Sequence, residues 1–283
     1  MMTQNLTDLD QHLAERFGGY ASYHCDDASI IENYGDAPAD EVDRLLDTFC
    51  NPPSRVLDLG CGAGFTLCRL APKVAEIWGF DQEPDLVEVT RQRAAQLGLG
   101  NTHCVLGNVA VADEVNAGLP DAAFDVAFSR RGPNVTPALL RKMKPNAFVI
   151  QELVQGTLGV KPLFGREPFL PEVGHNPHRL IAQYAELDLV PVSVKDYFFD
   201  EFFGDADQLI GSLKAFLLWD WTMPNYPYDE ARDRAALEVY VQYNTTPRGI
   251  RVTHRRSVYV FRRTEVRRFP AVPEAKRLYS PYV

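Results

Sequence analysis

VLDLGCGAGF, residues 56–65, decides the fold. An apolar run through Val56 and Leu57 reaches Asp58, then breaks into Gly60, Gly62 and Gly64. The pattern is that of a strand, a tight turn and the start of a helix. Glycine at every second position removes the Cβ that would hold the backbone away from a ligand. The first turn of the helix is expected to offer unpaired N–H groups to that ligand. The loop reads as a nucleotide-type cofactor site, with Cys61 a small apolar filler inside it.

Spacing separates two kinds of cofactor. A dinucleotide loop has G-x-G-x-x-G, whose third glycine serves close helix–strand packing and whose helix faces a pyrophosphate. Here the third glycine comes one residue early and an acid precedes the first, giving D-x-G-x-G-x-G. That pattern resembles motif I of the class I S-adenosylmethionine-dependent methyltransferases. The resemblance implies that Asp58, Gly60, Cys61, Gly62, Gly64 and Phe65 surround the amino-acid and sulfonium part of S-adenosylmethionine.

Three further segments follow in the family's order. AEIWGFD (75–81) reads as a second strand ending in Asp81, whose carboxylate is expected to accept from both ribose hydroxyls, with Gln82 beside it. Pro84 suits the first turn of the helix through DLVEVTRQRAAQL. THCVLGNV (102–109) reads as a third strand ending in Asn108, where many relatives carry an Asp that binds the adenine amino group. An Asn oxygen can accept from that amine while its NH2 donates to a ring nitrogen, and Val109 lies beside it. FDVAFSRRGP (124–133) resembles the fourth strand and its exit loop, with Ser129 at the cofactor edge. Thr136 and Pro137 then open a short helix, TPALLRKM. LLRKMKPNAFVIQEL is similar to the family's helix–KPGG–strand passage, Asn146 and Ala147 replacing the glycines. The likeness covers roughly residues 40–155.

The resemblance implies an α/β fold: a seven-stranded, mostly parallel sheet with helices on both faces. Residues 1–50 are expected to form a helical lid, from DLDQHLAERF and from ADEVDRLLDTFC, which places Val42, Leu45, Leu46 and Phe49 on one face. Tyr20, Tyr23, His24 and Tyr34 lie between those helices, and such a lid would keep water from the sulfonium. Residues 51–203 form the cofactor-binding core, with PHRLIAQYAEL a helix and LVPVSVKDYFFDEFF a long β stretch. Residues 204–246 read as a helical insertion before the last strand, carrying Trp219, Trp221, Tyr226 and Tyr228 as apolar surface for a pocket. Residues 247–283 hold that last strand, GIRVTHRRSVYVFRR, and a basic tail. This ending, with the RRGP loop, is similar to that of a bacterial group of methyltransferases of unassigned substrate.

Composition narrows the partners. Apolar content of 46% and charged content of 24% are ordinary for a globular protein. No apolar run reaches the length of a membrane span, and MMTQNLTDLD is too polar for a signal peptide, so a cytoplasmic protein is expected. The five cysteines form no C-x-x-C pair, which fits reduced thiols. Residues 241–283 carry ten basic side chains against two acidic ones, within a chain of net charge −9. The basic tail could meet nucleic acid, but the acidic remainder would repel a polyanion.

Methyl transfer from a sulfonium needs alignment and dryness more than acid–base help. Arg130 and Arg131 stand at the carboxyl end of the fourth strand, where open α/β sheets bind ligands, and could clamp a carboxylate or phosphate. Tyr34 and Trp219 are candidate walls of the acceptor pocket, and Glu152 and His254 candidate bases. His175 and His178 lack a supporting cysteine or acidic cluster, so no metal is expected. The expected activity is methyl transfer from S-adenosylmethionine to a small-molecule acceptor. An RNA acceptor and a non-catalytic donor-binding sensor or accessory subunit are the alternatives.

Overall fold

A computed structural model describes residues 29–158, 177–210 and 230–264. The strands are β1 (Ser29–Asn33), β2 (Arg55–Leu59), β3 (Glu76–Asp81), β4 (Thr102–Leu106), β5 (Phe124–Arg130), β6 (Met143–Leu158), β7 (Leu189–Phe203), β8 (Thr245–Thr246) and β9 (Gly249–Arg263). The α-helices with full bounds are α1 (Pro38–Phe49), α2 (Phe65–Leu70), α3 (Pro84–Gln96), α4 (Ala112–Gly118), α5 (Pro137–Lys142), α6 (Pro177–Glu186) and α7 (Glu230–Asn244). Residues 206–210 are helical as well.

All described strands join one sheet, in the order β1-β7-β9-β6-β5-β2-β3-β4, with β8 on β9. The strands β2 to β6 pair in parallel, and β9 runs antiparallel between β6 and β7. Among the described residues the sheet thus has nine strands, not the expected seven. One addition is β8, two residues laid against the start of β9. The other is β1, whose residues Ser29–Asn33 pair antiparallel with Phe203–Phe199 at the edge. Part of the segment expected to act as a lid is therefore built into the sheet. The other lid helix, with Tyr20, Tyr23 and His24, lies outside the described residues.

Burial explains α1. Its Val42, Leu45 and Leu46 sink into a cluster with Val56, Phe128, Ile150 and Val258, and α2 and α3 add Leu67, Leu70 and Ala94 on the same face. The opposite face is covered by α4, α5 and α6 through Val115, Leu139, Leu180 and Tyr184. Both faces being covered, the parallel strands read as apolar runs. Thr136 caps α5, its Oγ1 accepting from Leu139 N at 3.3 Å. Asn146 takes φ 63° where the family's glycine would stand, a left-handed turn that Asn tolerates.

Three strands overshoot the core. β5 ends opposite Glu152, whereas β6 continues to Leu158, paired with Thr253 of β9. β7 and β1 extend the same arm, and its end is covered by Leu209, Ile210, Leu237 and Tyr240 packed on Phe203, Ile250 and Val252. Within the expected insertion, 204–246, residues 206–210 and α7 are helical and Thr245–Thr246 form β8. Trp219, Trp221, Tyr226, Tyr228, His175 and residues 265–283 lie outside the described residues. Among the described residues no helix is long and apolar enough to cross a membrane.

Candidate active site

A cavity of about 290 Å³ opens where β2, β3, β4 and β5 end. Gly60, Gly62 and Ala63 form one side; Phe80, Asp81, Gln82, Glu83 and Leu86 form the next. Gly107 and Val109 follow β4, and Arg130, Arg131, Gly132 and Pro133 close the far end. This is the position at which open parallel sheets bind ligands.

The glycine loop is tied down through its own amides. Gly60 N donates to Phe80 O at 2.8 Å, Gly62 N to Asp81 Oδ2 at 2.8 Å, and Gly64 N to Cys61 O at 3.0 Å. α3 braces it from behind: Thr90 Oγ1 donates to Gly62 O at 2.7 Å and Arg93 Nε to Ala63 O at 2.9 Å. Gly60 has φ +74°, and a Cβ there would stand 2.9 Å from Pro133 Cδ. At its three glycines the loop therefore supplies closeness rather than donors. The three glycine N–H groups that a pyrophosphate would use are already spent on the protein, and a sulfonium cation needs none of them.

Asp81 is the pivot. Its Oδ1 accepts from Glu83 N at 3.0 Å while Oδ2 holds Gly62 N, and each oxygen keeps accepting capacity toward the cavity. Burial raises its carboxyl pKa, opposed by the N–H groups of Glu83, Gly62 and Gln82. Asp58 is more deeply buried and does not line the cavity. Burial pushes its carboxyl well above the usual value of 3.8, with Arg130 opposing and Asp81 reinforcing. A raised acid favours folding only while protonated, so ionising Asp58 costs stability as pH climbs from 3.8 through its folded value.

Of the residues expected around the cofactor, Gly60, Gly62, Asp81, Gln82 and Val109 line the cavity, and Asp58, Cys61, Gly64, Phe65, Asn108 and Ser129 do not. The Cys61 thiol packs on Gly79, where an added Cβ would meet its Sγ at 2.8 Å; burial pushes the thiol well above its usual range. Gly64 faces Thr90, at φ +78°. Phe65 packs against Ala63, Leu86 and Val89 beneath the Arg93 guanidinium. Asn108 turns its Oδ1 onto Ala110 N at 2.9 Å, closing a local turn instead of reaching a ligand. The buried Ser129 Oγ lies under Gly132 and has no hydrogen-bond partner among the described residues.

The candidates for acceptor chemistry separate too. Arg130 and Arg131 both line the cavity. Arg130 Nη1 donates to Asp43 Oδ1 at 3.0 Å and to Thr66 Oγ1 at 3.3 Å, and its Nε is 3.8 Å from Glu152 Oε2. Glu152, 1% exposed, also holds Arg256 Nη1 at 3.1 Å. It is the counter-ion of two arginines, not a base facing the cavity. His254 sits on the arm, stacked on Phe199 at 4.8 Å with Nε2 2.9 Å from Glu201 Oε2, and does not line the cavity. Tyr34 donates its hydroxyl to Asp200 at the sheet edge, also outside the cavity. Trp219 lies outside the described residues.

Sequence reasoning missed Gly132, Pro133, Ala63, Phe80, Glu83, Leu86 and Gly107 as lining residues. The RRGP motif was the available signal for the first two: a Cβ on Gly132 would meet Leu59 O at 2.7 Å, so only glycine lets that loop close on β2. Nothing local marked Arg256 as a partner of Glu152.

Residues 51–155 match a family model described as a methyltransferase domain. Those residues carry a methyltransferase domain. The chain is 29% identical over 131 residues to a protein-L-isoaspartate O-methyltransferase of Saccharophagus degradans, covering 44% of this chain and 56% of that protein. It is 30% identical over 123 residues to aklanonic acid methyltransferase DauC of a Streptomyces species, covering 41% and 53%. The chain thus spans about half the length of these curated relatives. A structure described as a functionally unknown protein from Deinococcus radiodurans R1 shares the fold, with TM-score 0.61, 19% identity, and coverage of 89% of this chain and 98% of that one. Domains of this class use S-adenosylmethionine. The cavity fits that cofactor: a Cβ-free loop, an acid at the end of β3, and the amides of Gly60, Gly62 and Gly64 already bonded within the protein.

Proposed function

We propose that the protein transfers a methyl group from S-adenosylmethionine to a small-molecule acceptor. The observation that carries this reading is the cavity at the glycine loop, with Asp81 fixed on its wall by Gly62 N and Glu83 N. Asp81 would receive the ribose hydroxyls, Leu86 and Val109 would offer apolar surface to the adenine, and Gly60 and Gly62 would admit the amino-acid part. When bound, the sulfonium supplies a methyl carbon open to in-line attack from behind. The protein's contribution is orientation and exclusion of water, which can supply about 7–11 kcal/mol of a barrier in favourable cases.

Among the described lining residues the only ionisable side chains are Asp81, Glu83, Arg130 and Arg131. None of them is a histidine, lysine, cysteine or tyrosine, so the described wall favours an acceptor that is already nucleophilic. The acidic chain, at net charge −9, favours a small acceptor over RNA, and DauC is named for one small acid. Cys50, Cys61, Cys68 and Cys104 carry no disulfide, in keeping with work in the cytoplasm.

Incubation with methyl-labelled donor and a fractionated cell extract, before and after nuclease, tests the reading. Label is expected in small molecules and is expected to survive nuclease. Label lost with nuclease would assign an RNA acceptor. Donor binding without any labelled product would make the protein a sensor or accessory subunit.

A further inference from the structure

Behind the far wall of the cavity lies a polar network built on two buried side chains. Leu180 and Tyr184 stand one turn apart on α6 and face the core, the Tyr184 ring edge-on to Phe261 at 4.8 Å. Tyr184 is 2% exposed, and Gln151 of β6 is 0% exposed. The Tyr184 hydroxyl donates to Gln151 Oε1 and accepts from Val135 N at 2.8 Å. Gln151 Nε2 donates to Asn134 Oδ1 at 2.6 Å and to Pro133 O at 3.4 Å. The Pro133 carbonyl can only accept, which fixes the orientation of the Gln151 amide. Burial raises the pKa of Tyr184, so its hydroxyl stays a neutral donor.

Pro133, Asn134 and Val135 all belong to the loop that leaves β5. Arg131 N ties the start of that loop to Glu152 O at 2.9 Å, and Gln151 and Tyr184 tie the rest. The same loop forms the far wall of the cavity through Gly132 and Pro133. It is pressed against the glycine loop. A Cβ on Gly60 would stand 2.9 Å from Pro133 Cδ, and one on Gly132 would stand 2.7 Å from Leu59 O. Any shift of Pro133 therefore changes the width of the cavity at Gly60. Apolar side chains in place of Tyr184 and Gln151 would avoid the desolvation that a hydroxyl and an amide cost. What the polar pair adds is direction: a satisfied buried network rigidifies its surroundings and holds the loop at one spacing.

We propose that Tyr184 and Gln151 are positioning residues for the donor, holding Gly132 and Pro133 at the distance from Gly60 that admits the amino-acid and sulfonium part of S-adenosylmethionine. The proposal rests on the methyltransferase reading above and adds to it the residues that set the width of the site. Neither side chain lines the cavity. Gln151 lies within the residues matched to the methyltransferase domain, and Tyr184 lies beyond them. The adenosine end stands on other elements: Asp81 on β3, Leu86 on α3 and Val109 just past β4. That asymmetry separates a positioning role from a general contribution to stability.

Wild type, Tyr184→Phe, Gln151→Leu and the double variant are titrated with S-adenosylhomocysteine and with adenosine, well below the Tm of each. Tyr184→Phe keeps the ring and removes only the hydroxyl, which leaves Val135 N and Gln151 Oε1 without that partner. Each single variant should weaken S-adenosylhomocysteine by about tenfold and keep adenosine within about threefold. Because both act through one network, the double variant should also lose about tenfold, not a hundredfold. Equal binding of S-adenosylhomocysteine in folded variants overturns the proposal, and the network then serves stability alone. A matching loss for adenosine overturns it too, as a general loosening of the domain, and so does a hundredfold loss in the double variant, as two independent effects. Should neither buried variant fold, Asn134→Ala decides in their place: S-adenosylhomocysteine should weaken by about threefold or more with adenosine unchanged, and unaltered binding of both overturns the proposal. Wild-type protein that binds neither ligand would bring down the methyltransferase reading as well, whereas normal wild-type binding with indifferent variants removes the positioning role and leaves that reading standing.

Discussion

Asp81→Ala is expected to weaken S-adenosylhomocysteine binding by about one to two powers of ten. Two losses combine. The ribose hydroxyls would lose a charged acceptor, and each charge-assisted hydrogen bond is worth about 1.5–3 kcal/mol on truncation. The glycine loop would lose its anchor as well, because Gly62 N donates to Asp81 Oδ2 at 2.8 Å. Asp81→Asn separates the contributions: its amide oxygen can still take Gly62 N, while half of the acceptor capacity toward the sugar is gone. Calorimetry on both variants, with circular dichroism to confirm folding, reads the effect. An alanine variant that is folded and binds as the wild type does would remove Asp81 from the site.

Glu152→Ala is expected to lower stability by about 3 kcal/mol or more, because breaking a buried ion pair leaves its partner charge uncompensated. Here Arg256, 23% exposed, would be stranded, while Arg130, 18% exposed, would keep Asp43. That partial contact with water holds the cost toward the lower end of the usual range. The measurement is the urea midpoint at neutral pH. A general base in this position would behave oppositely, with methyl transfer lost and the midpoint unchanged, and that result would return Glu152 to the reaction.

Local pattern carried much of the fold. The strand–turn–helix at 56–65 and the Thr136–Pro137 helix start follow from short-range sterics and capping, and both stand as expected. The long strands Leu189–Phe203 and Gly249–Arg263 were legible because β-branched and aromatic residues dominate them. β1 was not legible. Its five residues, SIIEN, become a strand only by pairing with β7, some 170 positions away. The residues expected around the cofactor divide in the same way by whether they line the cavity. Backbone positions such as Gly60 and Gly62 were readable from spacing, as was the strand-end acid Asp81. Side-chain direction was not: Asn108 folds onto Ala110 N, and Cys61 turns toward Gly79. For the neighbouring pair Arg130–Arg131, neither the reach of Arg130 to Asp43 nor the left-handed backbone of Arg131 was legible in the sequence.

The central claim is that the cavity at the end of the first core strand receives an adenosyl sulfonium compound. A crystal structure of the protein soaked with S-adenosylhomocysteine tests it most directly. The account predicts density with the sugar against Asp81, adenine between Leu86 and Val109, and sulfur facing the Arg131–Pro133 end. An empty cavity at saturating ligand, or a dinucleotide whose pyrophosphate lies on the glycine loop in its place, would contradict it.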